Sequence, residues 1–473
     1  MLVPGTDRLA PGRGRADAKV HPVWRRLYEQ SNKFGVVTEY IGPHDITDEI
    51  LAPYAALYLM PAPRLSREQE QCVLRFVRGG RALCIMAATP LAGQLGVVFH
   101  GNGRQNALVW RNKSLAYRAV DERGFVHKIA RRLFREKIPS GWGAPLPVMR
   151  VSVSAEHEIL ARWQNVGWPA LTRSRAGRGT VVYFSGILAG AEEALVRYVI
   201  SLIAEGAPGK VPAVPAGKKC CVTLFHDYEG SYGNSRWGSA DAEGLRSLLA
   251  LEKKYRIRAT FHIVGKLAES APETIRQIIA DGHEIAAHTY EHAVPRLIDR
   301  RTLERSIAAC VRLFQERFGK DIKGFRSPQA GWSADLVALL ARYGFAWDAE
   351  DEAATVPYRL VLDRQLPLLR IPVSGDDYGY ISSRLSPREM LARFKLLVVQ
   401  GIDSSGFVSI GFHPWIESMD PERLAVLEEF FAYLTALPEV AIMTFGEVCD
   451  WWNRRSGEAS LSGSTQPTKQ AVR

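Results

Sequence analysis

Residues 224–233 read LFHDYEGSYG and bring His226, Asp227 and Glu229 together at the end of an apolar run. Side chains alternate faces along a strand, so Asp227 and Glu229 share one face and His226 points to the other. Two neighbouring carboxylates repel unless a cation or a shared proton lies between them. The pair therefore suits metal ligation, proton transfer, or both. In GHEIAAHTYEHA, His288 and His292 stand at i, i+4, a spacing that on one helical turn lets both imidazoles reach a single ion. Arg326 and Pro328 in GFRSPQAGW, Asp348 in FAWDAED and His413 in SIGFHPW each follow another short apolar run. Singly, each has an ordinary explanation: a polar strand end turning at Gly230, an incidental histidine pair, a core arginine. Jointly, these polar groups each close a predicted strand, and core packing does not distribute them that way.

The elements that must position them alternate. CCVTLFHD precedes the helical DAEGLRSLLALEKKY, ATFHIV precedes PETIRQIIADG, and HEIAAH precedes RRTLERSIAACVRLFQERFG. IKGFRSP, FAWD, LLRIPV, VSIGFHP and VAIMTF supply later strands, with an irregular passage between 350 and 385. Such repetition predicts a closed βα barrel over 220–455, whose C-terminal rim is where barrels carry chemistry. Residues 21–205 also alternate: FGVVTEYI, AALYLM, ALCIMA and GTVVYFS read as strands, and SREQEQCVLRFVRGG as a helix. This spacing predicts a doubly wound parallel α/β domain. The stretch 206–219, with its prolines and glycines, reads as a linker, and 1–20 and 456–473 read as disordered tails.

Composition narrows the function. The 473 residues are 47% hydrophobic and 23% charged, ordinary for a soluble protein of two or three domains. A net charge of +11 permits an anionic partner. Arg131, Arg132, Arg135 and Lys137 lie in a helical pattern that a solvated face explains, and no nucleic-acid motif accompanies them, so nucleic-acid binding is not expected. The six cysteines lack metal-finger spacing, which favours a reducing compartment. The N-terminus has no apolar signal core and no stretch reads as a membrane span, so the cytoplasm is expected unless an upstream leader precedes this start.

The order of an acidic strand end, EIAAHTYEH, FRSP, a WD segment and a late strand ending in histidine resembles the polysaccharide deacetylases, carbohydrate esterase family 4 or NodB-homology domain, across about 220–452. The resemblance implies a distorted (β/α)7-type barrel and a divalent metal, zinc first, with Co2+, Ni2+ or Mn2+ as alternatives. It implies Glu229, His288 and His292 as ligands, Asp227 as the base that deprotonates water, and Arg326 as its partner. His413 would then protonate the departing amine, oriented by Asp348 or by Asp351. Many members carry two adjacent acids where this chain has Asp227 and Glu229 separated by Tyr228. His226 would be packing or an outer partner of the site, or else a further ligand. Tyr228, Pro328, Trp332 and Trp415 are candidates for substrate contact. The implied reaction removes N-acetyl groups from an N-acetylated glycan. A small non-sugar amide as substrate, or a silent glycan-binding scaffold, is the alternative.

The N-terminal half, through ALYLMP and VRGGRALCIMA, resembles flavodoxin- or glutamine-amidotransferase-like domains. A working amidotransferase needs a cysteine on an exposed strand-to-helix elbow. Cys84 instead sits between Leu83 and Ile85 in a strand pattern, so this half is expected to be non-catalytic and to position substrate or a protein partner.

Overall fold

A computed structural model describes residues 2–3, 22–59, 65–86, 90–116, 146–186, 188, 191, 193–204, 211–230, 238–351, 354–361, 365–417 and 421–462. The cluster Arg131 to Lys137, residues 206–210 of the expected linker and most of both expected tails lie outside these residues.

The N-terminal half is α/β, but its sheet is mixed and not wholly parallel. Leu2–Val3, Ala56–Leu59, Ala82–Ile85 and Gly179–Phe184 form the parallel half. Pro169–Ala176, Glu158–Trp163, Ala107–Trp110 and Lys113–Ala116 then continue the sheet antiparallel. Hairpins join Ala107–Trp110 to Lys113–Ala116, Glu158–Trp163 to Pro169–Ala176, and Pro169–Ala176 to Gly179–Phe184. Arg111 and Asn112 take φ of 50° and 61°, and such a two-residue turn matches the twist of an antiparallel pair. A separate ribbon pairs Val97–Gln105 with Leu146–Val153. FGVVTEYI forms no ladder strand, because its start folds back on the helix Pro22–Lys33, with Val36 N–H donating to Ser31 O at 2.9 Å. Cys84 is fully enclosed in its strand, and burial pushes its thiol far up.

The C-terminal half is a barrel. Cys220–Tyr228 pairs in parallel with Thr260–Ile263, followed around the ring by Glu284–Ala287, Gly324–Arg326, Trp347–Asp351 and Gln365–Val373. The last of these continues into Gly375–Asp376, which pairs with Phe407–Phe412, and that strand returns to Cys220–Tyr228. Seven strand positions thus close the ring among the described residues. The irregular passage is a hairpin, Tyr358–Val361 lying antiparallel on Gln365–Val373. Every residue of Cys220–Tyr228 is buried, because one face meets the barrel interior and the other the helix layer.

Residues 211–219 are not a free linker. Val211 N–H donates to Gly35 O at 2.9 Å, and Lys219 N–H donates to Glu439 O at 2.8 Å. The fully buried Arg455 donates to the carbonyls of Val211 and Pro212, at 3.0 and 2.7 Å, and to Asn32 Oδ1 at 2.6 Å. Tyr28 Oη also donates to Pro357 O at 2.8 Å, so the two halves are joined by buried polar bonds. Of the expected tails, Leu2–Val3 is strand, and the helix Phe445–Ser462 takes up 456–462, where Glu458, Ala459 and Leu461 favour helix.

Candidate metal centre and acid–base site

Asp227 and Glu229 leave the first barrel strand on its interior face, and Gly230, at φ 67°, turns the chain away. His226 points oppositely into the helix layer, where its Nε2 lies 2.7 Å from Glu252 Oε1 and both side chains are fully buried. It is therefore an outer packing group and not a ligand.

His288 and His292 follow the strand Glu284–Ala287, but not on a helical turn as the spacing predicts. Thr289 and His292 both have φ 57°, a left-handed backbone that breaks any helix there. The bend is held from the neighbouring segment, where Gly265 and Lys266 N–H donate to Thr289 and Tyr290 carbonyls at 3.0 and 2.9 Å. The two imidazoles still converge. His292 Nε2 stands 2.7 Å and His288 Nε2 3.8 Å from Glu229 Oε2. His288 Nδ1 donates to Arg326 O at 2.9 Å, which leaves the Nε2 lone pair facing Glu229. One ligand atom from each of Glu229, His288 and His292 lies within 4.8 Å of the others, the group among the described residues that meets a metal-site geometry. Two imidazoles and a carboxylate fit a divalent ion such as zinc. Burial opposes the charged form of Glu229, yet the neighbouring His288, His292 and His413 hold its carboxyl well below the usual range.

Asp227 lies beside this trio. Arg326, the last residue of its strand, donates Nε–H to Asp227 Oδ2 at 2.9 Å, and His262 Nδ1 lies 2.9 Å from Oδ1. Burial raises the Asp227 pKa, but the Arg326 guanidinium, His288 and His262 outweigh it and hold the carboxyl well below its ordinary value. Arg326 also meets Asp351 at 3.2 Å and Asp376 at 3.6 Å.

His413 follows the strand Phe407–Phe412, its Nε2 3.8 Å from Asp227 Oδ2. Its orienting partner is Asp377, not Asp348 or Asp351: Nδ1 donates to Asp377 Oδ1 at 2.6 Å. Burial opposes the imidazolium, but Asp377 pushes the His413 pKa well above the ordinary range. Asp348 is instead fully buried against Arg370, at 2.6 Å, with the Trp332 ring stacked on that guanidinium at 4.0 Å. The strand Trp347–Asp351 puts Asp348 on that neighbouring arginine, to which both its carboxylate oxygens are bonded. Asp351 is spent on Arg326.

Of the expected substrate contacts, Trp415 is at the site, its Nε1 donating to Glu229 Oε1 at 3.3 Å. Trp332 gives one ring face to Arg370. Tyr228 is buried and belongs to the hydrophobic core. Pro328 is buried at the start of the short turn Pro328–Ala330. Sequence reasoning missed His262, Asp377 and Tyr378, whose half-exposed ring lies 5.9 Å from that of His413. The adjacent acids of GDDYGY, following the apolar LLRIPV, were a usable signal for Asp377. A histidine inside the apolar strand TFHI was the signal for His262.

Residues 216–347 match the family model described as polysaccharide deacetylase. The peptidoglycan deacetylase of Helicobacter pylori is 25% identical over 272 residues, which is 48% of this chain and 92% of that protein. The chitooligosaccharide deacetylase of Sinorhizobium fredii is 32% identical over 94 residues, 20% of this chain and 44% of that protein, so this chain spans under half of that relative. A crystal structure of Puue allantoinase aligns with 18% identity and a TM-score of 0.48, covering 54% of this chain and 96% of that one. Residues 216–347 thus carry a polysaccharide deacetylase domain.

Proposed function

We propose that the barrel is a metal-dependent hydrolase that removes N-acetyl groups from the amino sugars of a glycan, releasing acetate and a free amine. The observation that carries this reading is the convergence of Asp227 and His413, 3.8 Å apart, beside the Glu229, His288 and His292 trio. When Glu229, His288 and His292 hold a divalent ion, zinc first, it supplies Lewis acidity to the acetyl carbonyl and makes water easier to deprotonate. Asp227, kept ionised by Arg326, accepts the proton of the attacking water. His413, kept protonated by Asp377, hands a proton to the amide nitrogen as the carbon–nitrogen bond breaks, without which the tetrahedral adduct returns to substrate. Tyr378 and Trp415 flank His413 and offer aromatic faces suited to a sugar ring. Residues 21–205 contribute no reacting group in this reading and position the glycan or a protein partner.

The test is acetate release from a panel of N-acetylated oligosaccharides and peptidoglycan fragments, with chelator and after re-addition of zinc, cobalt, nickel or manganese. Acetate that appears with metal and vanishes with chelator supports the reading. No release from any glycan at full metal occupancy would sink it.

A further inference from the structure

Asp227 is held by a separate donor on each carboxylate oxygen, Arg326 on Oδ2 and His262 on Oδ1, both at 2.9 Å. His262 reaches it because Asp227 and His262 are direct partners in the parallel ladder of the first two barrel strands. An ionised carboxylate only accepts hydrogen bonds, so the proton between them belongs to His262 Nδ1.

The rest of the ring serves no other polar group. His262 is fully buried, with the rings of Phe225, Phe445 and Trp347 at centroid distances of 5.3, 5.6 and 6.0 Å. Its Nε2 is buried without a hydrogen-bond partner among the described residues. A phenyl ring would suit this aromatic nest better, because it has no nitrogen to desolvate. The one thing an imidazole adds here is the donor aimed at Asp227 Oδ1.

We infer that His262 is a positioning residue for the deacetylation reaction, fixing the rotation of the Asp227 carboxylate so that Oδ2 is the oxygen that takes the proton of water. Arg326 alone holds one oxygen and leaves the carboxylate free to swing about that bond. With His262 on Oδ1, the plane is set and Oδ2 stays toward His413, at 3.8 Å. The inference rests on the proposed deacetylase reading for the reaction, but the hydrogen bond itself does not. It also implies an unusual tautomer: a neutral ring protonated on Nδ1 with a bare Nε2.

Two variants and one spectrum test it. His262→Phe keeps the aromatic bulk and removes the donor; His262→Asn restores an N–H near the position of Nδ1. The Phe variant should lose roughly 10–100-fold in kcat, the scale on which partners behind a reacting group act. Its KM and metal content should stay within about 2-fold of wild type, and the Asn variant should recover part of the loss. Long-range 15N–1H spectra of the histidine-labelled, full-length protein should show an Nδ1–H neutral ring that disappears in His262→Phe. Unchanged kcat in the Phe variant, an Asn variant no better than Phe, or an Nε2–H tautomer overturns the inference. Wild-type protein that releases no acetate refutes the proposed reaction, while the tautomer still decides whether His262 donates to Asp227.

Discussion

His413 grips Asp377 at two points: its ring Nδ1–H and its backbone N–H donate to the two oxygens of the one carboxylate, at 2.6 and 2.7 Å. A side chain and main chain that share one buried anion cannot rotate independently, so the imidazole has one orientation, with Nε2 toward Asp227. The same contact keeps the ring protonated against its burial.

That raised pKa sets a pH dependence. The folded value lies above the unfolded one, so the stabilisation is fully present below about pH 6.5 and is lost as pH rises through the folded value. Activity should fall on the same alkaline limb, as His413 loses the proton it must donate. Asp377→Asn is expected to move this limb to lower pH and to reduce turnover. Profiles of kcat/KM against pH for the two proteins check this; an unmoved limb would mean that another group is the acid.

The two acids of the first strand should fail differently. Glu229→Gln removes the charge that offsets a cation and should weaken metal retention. Asp227→Asn should keep the ion and lower turnover by roughly 10²–10⁴, the scale of a lost general base. Metal content and turnover, measured separately on each variant, decide the assignment. The roles are reversed if the Asn variant alone arrives without metal.

Arg326 should act through Asp227. The folded pKa of Asp227 is depressed, so its contribution is present above the unfolded value near 3.9 and lost as pH falls through the folded value. Arg326→Ala removes the main opposing charge and should raise the acid limb of kcat/KM toward neutral pH. An acid limb at its wild-type position in a folded Arg326→Ala protein would contradict this.

About one divalent ion per chain should co-purify or be taken up, following the three-ligand pattern of catalytic zinc. Zinc added to metal-free protein should raise its melting temperature, because an ion that binds only the folded state stabilises it. His288→Ala and His292→Ala should lose both the ion and the shift. Elemental analysis and thermal melts read this out.

Asp348, despite lying in the right motif, should behave as a core residue. Asp348→Ala removes the carboxylate that pairs with the buried Arg370 and should cost about 3–5 kcal/mol of stability. The pH limbs of whatever activity survives should not move. Denaturant melts paired with a pH profile separate this outcome from a catalytic role.

What the sequence determined by itself is what short-range periodicity governs. Period two on one strand put Asp227 and Glu229 on one face and His226 on the other, and the alternation of apolar runs located Arg326 and His413 at strand ends. The two histidines of HTYEH were visible as a pair, though not the left-handed bend that joins them. Tertiary structure decided the partnerships. Asp377 lies 36 residues before His413 and meets it only because Gly375–Asp376 and Phe407–Phe412 pair to close the barrel. His262 meets Asp227 through the register of two strands, and a slip of one residue would turn it to the other face. Asp348 shows the same logic in reverse, its strand placing it on Arg370. In the N-terminal half, apolar runs announced strands but not their direction. Direction follows from whether a tight turn or a helix joins them, and at the left-handed pair Arg111 and Asn112 only the asparagine is a turn-favouring residue, a weak sign that a hairpin is coming. Registers and closures are long-range, summed over many weak contacts, and no window of local sequence contains them.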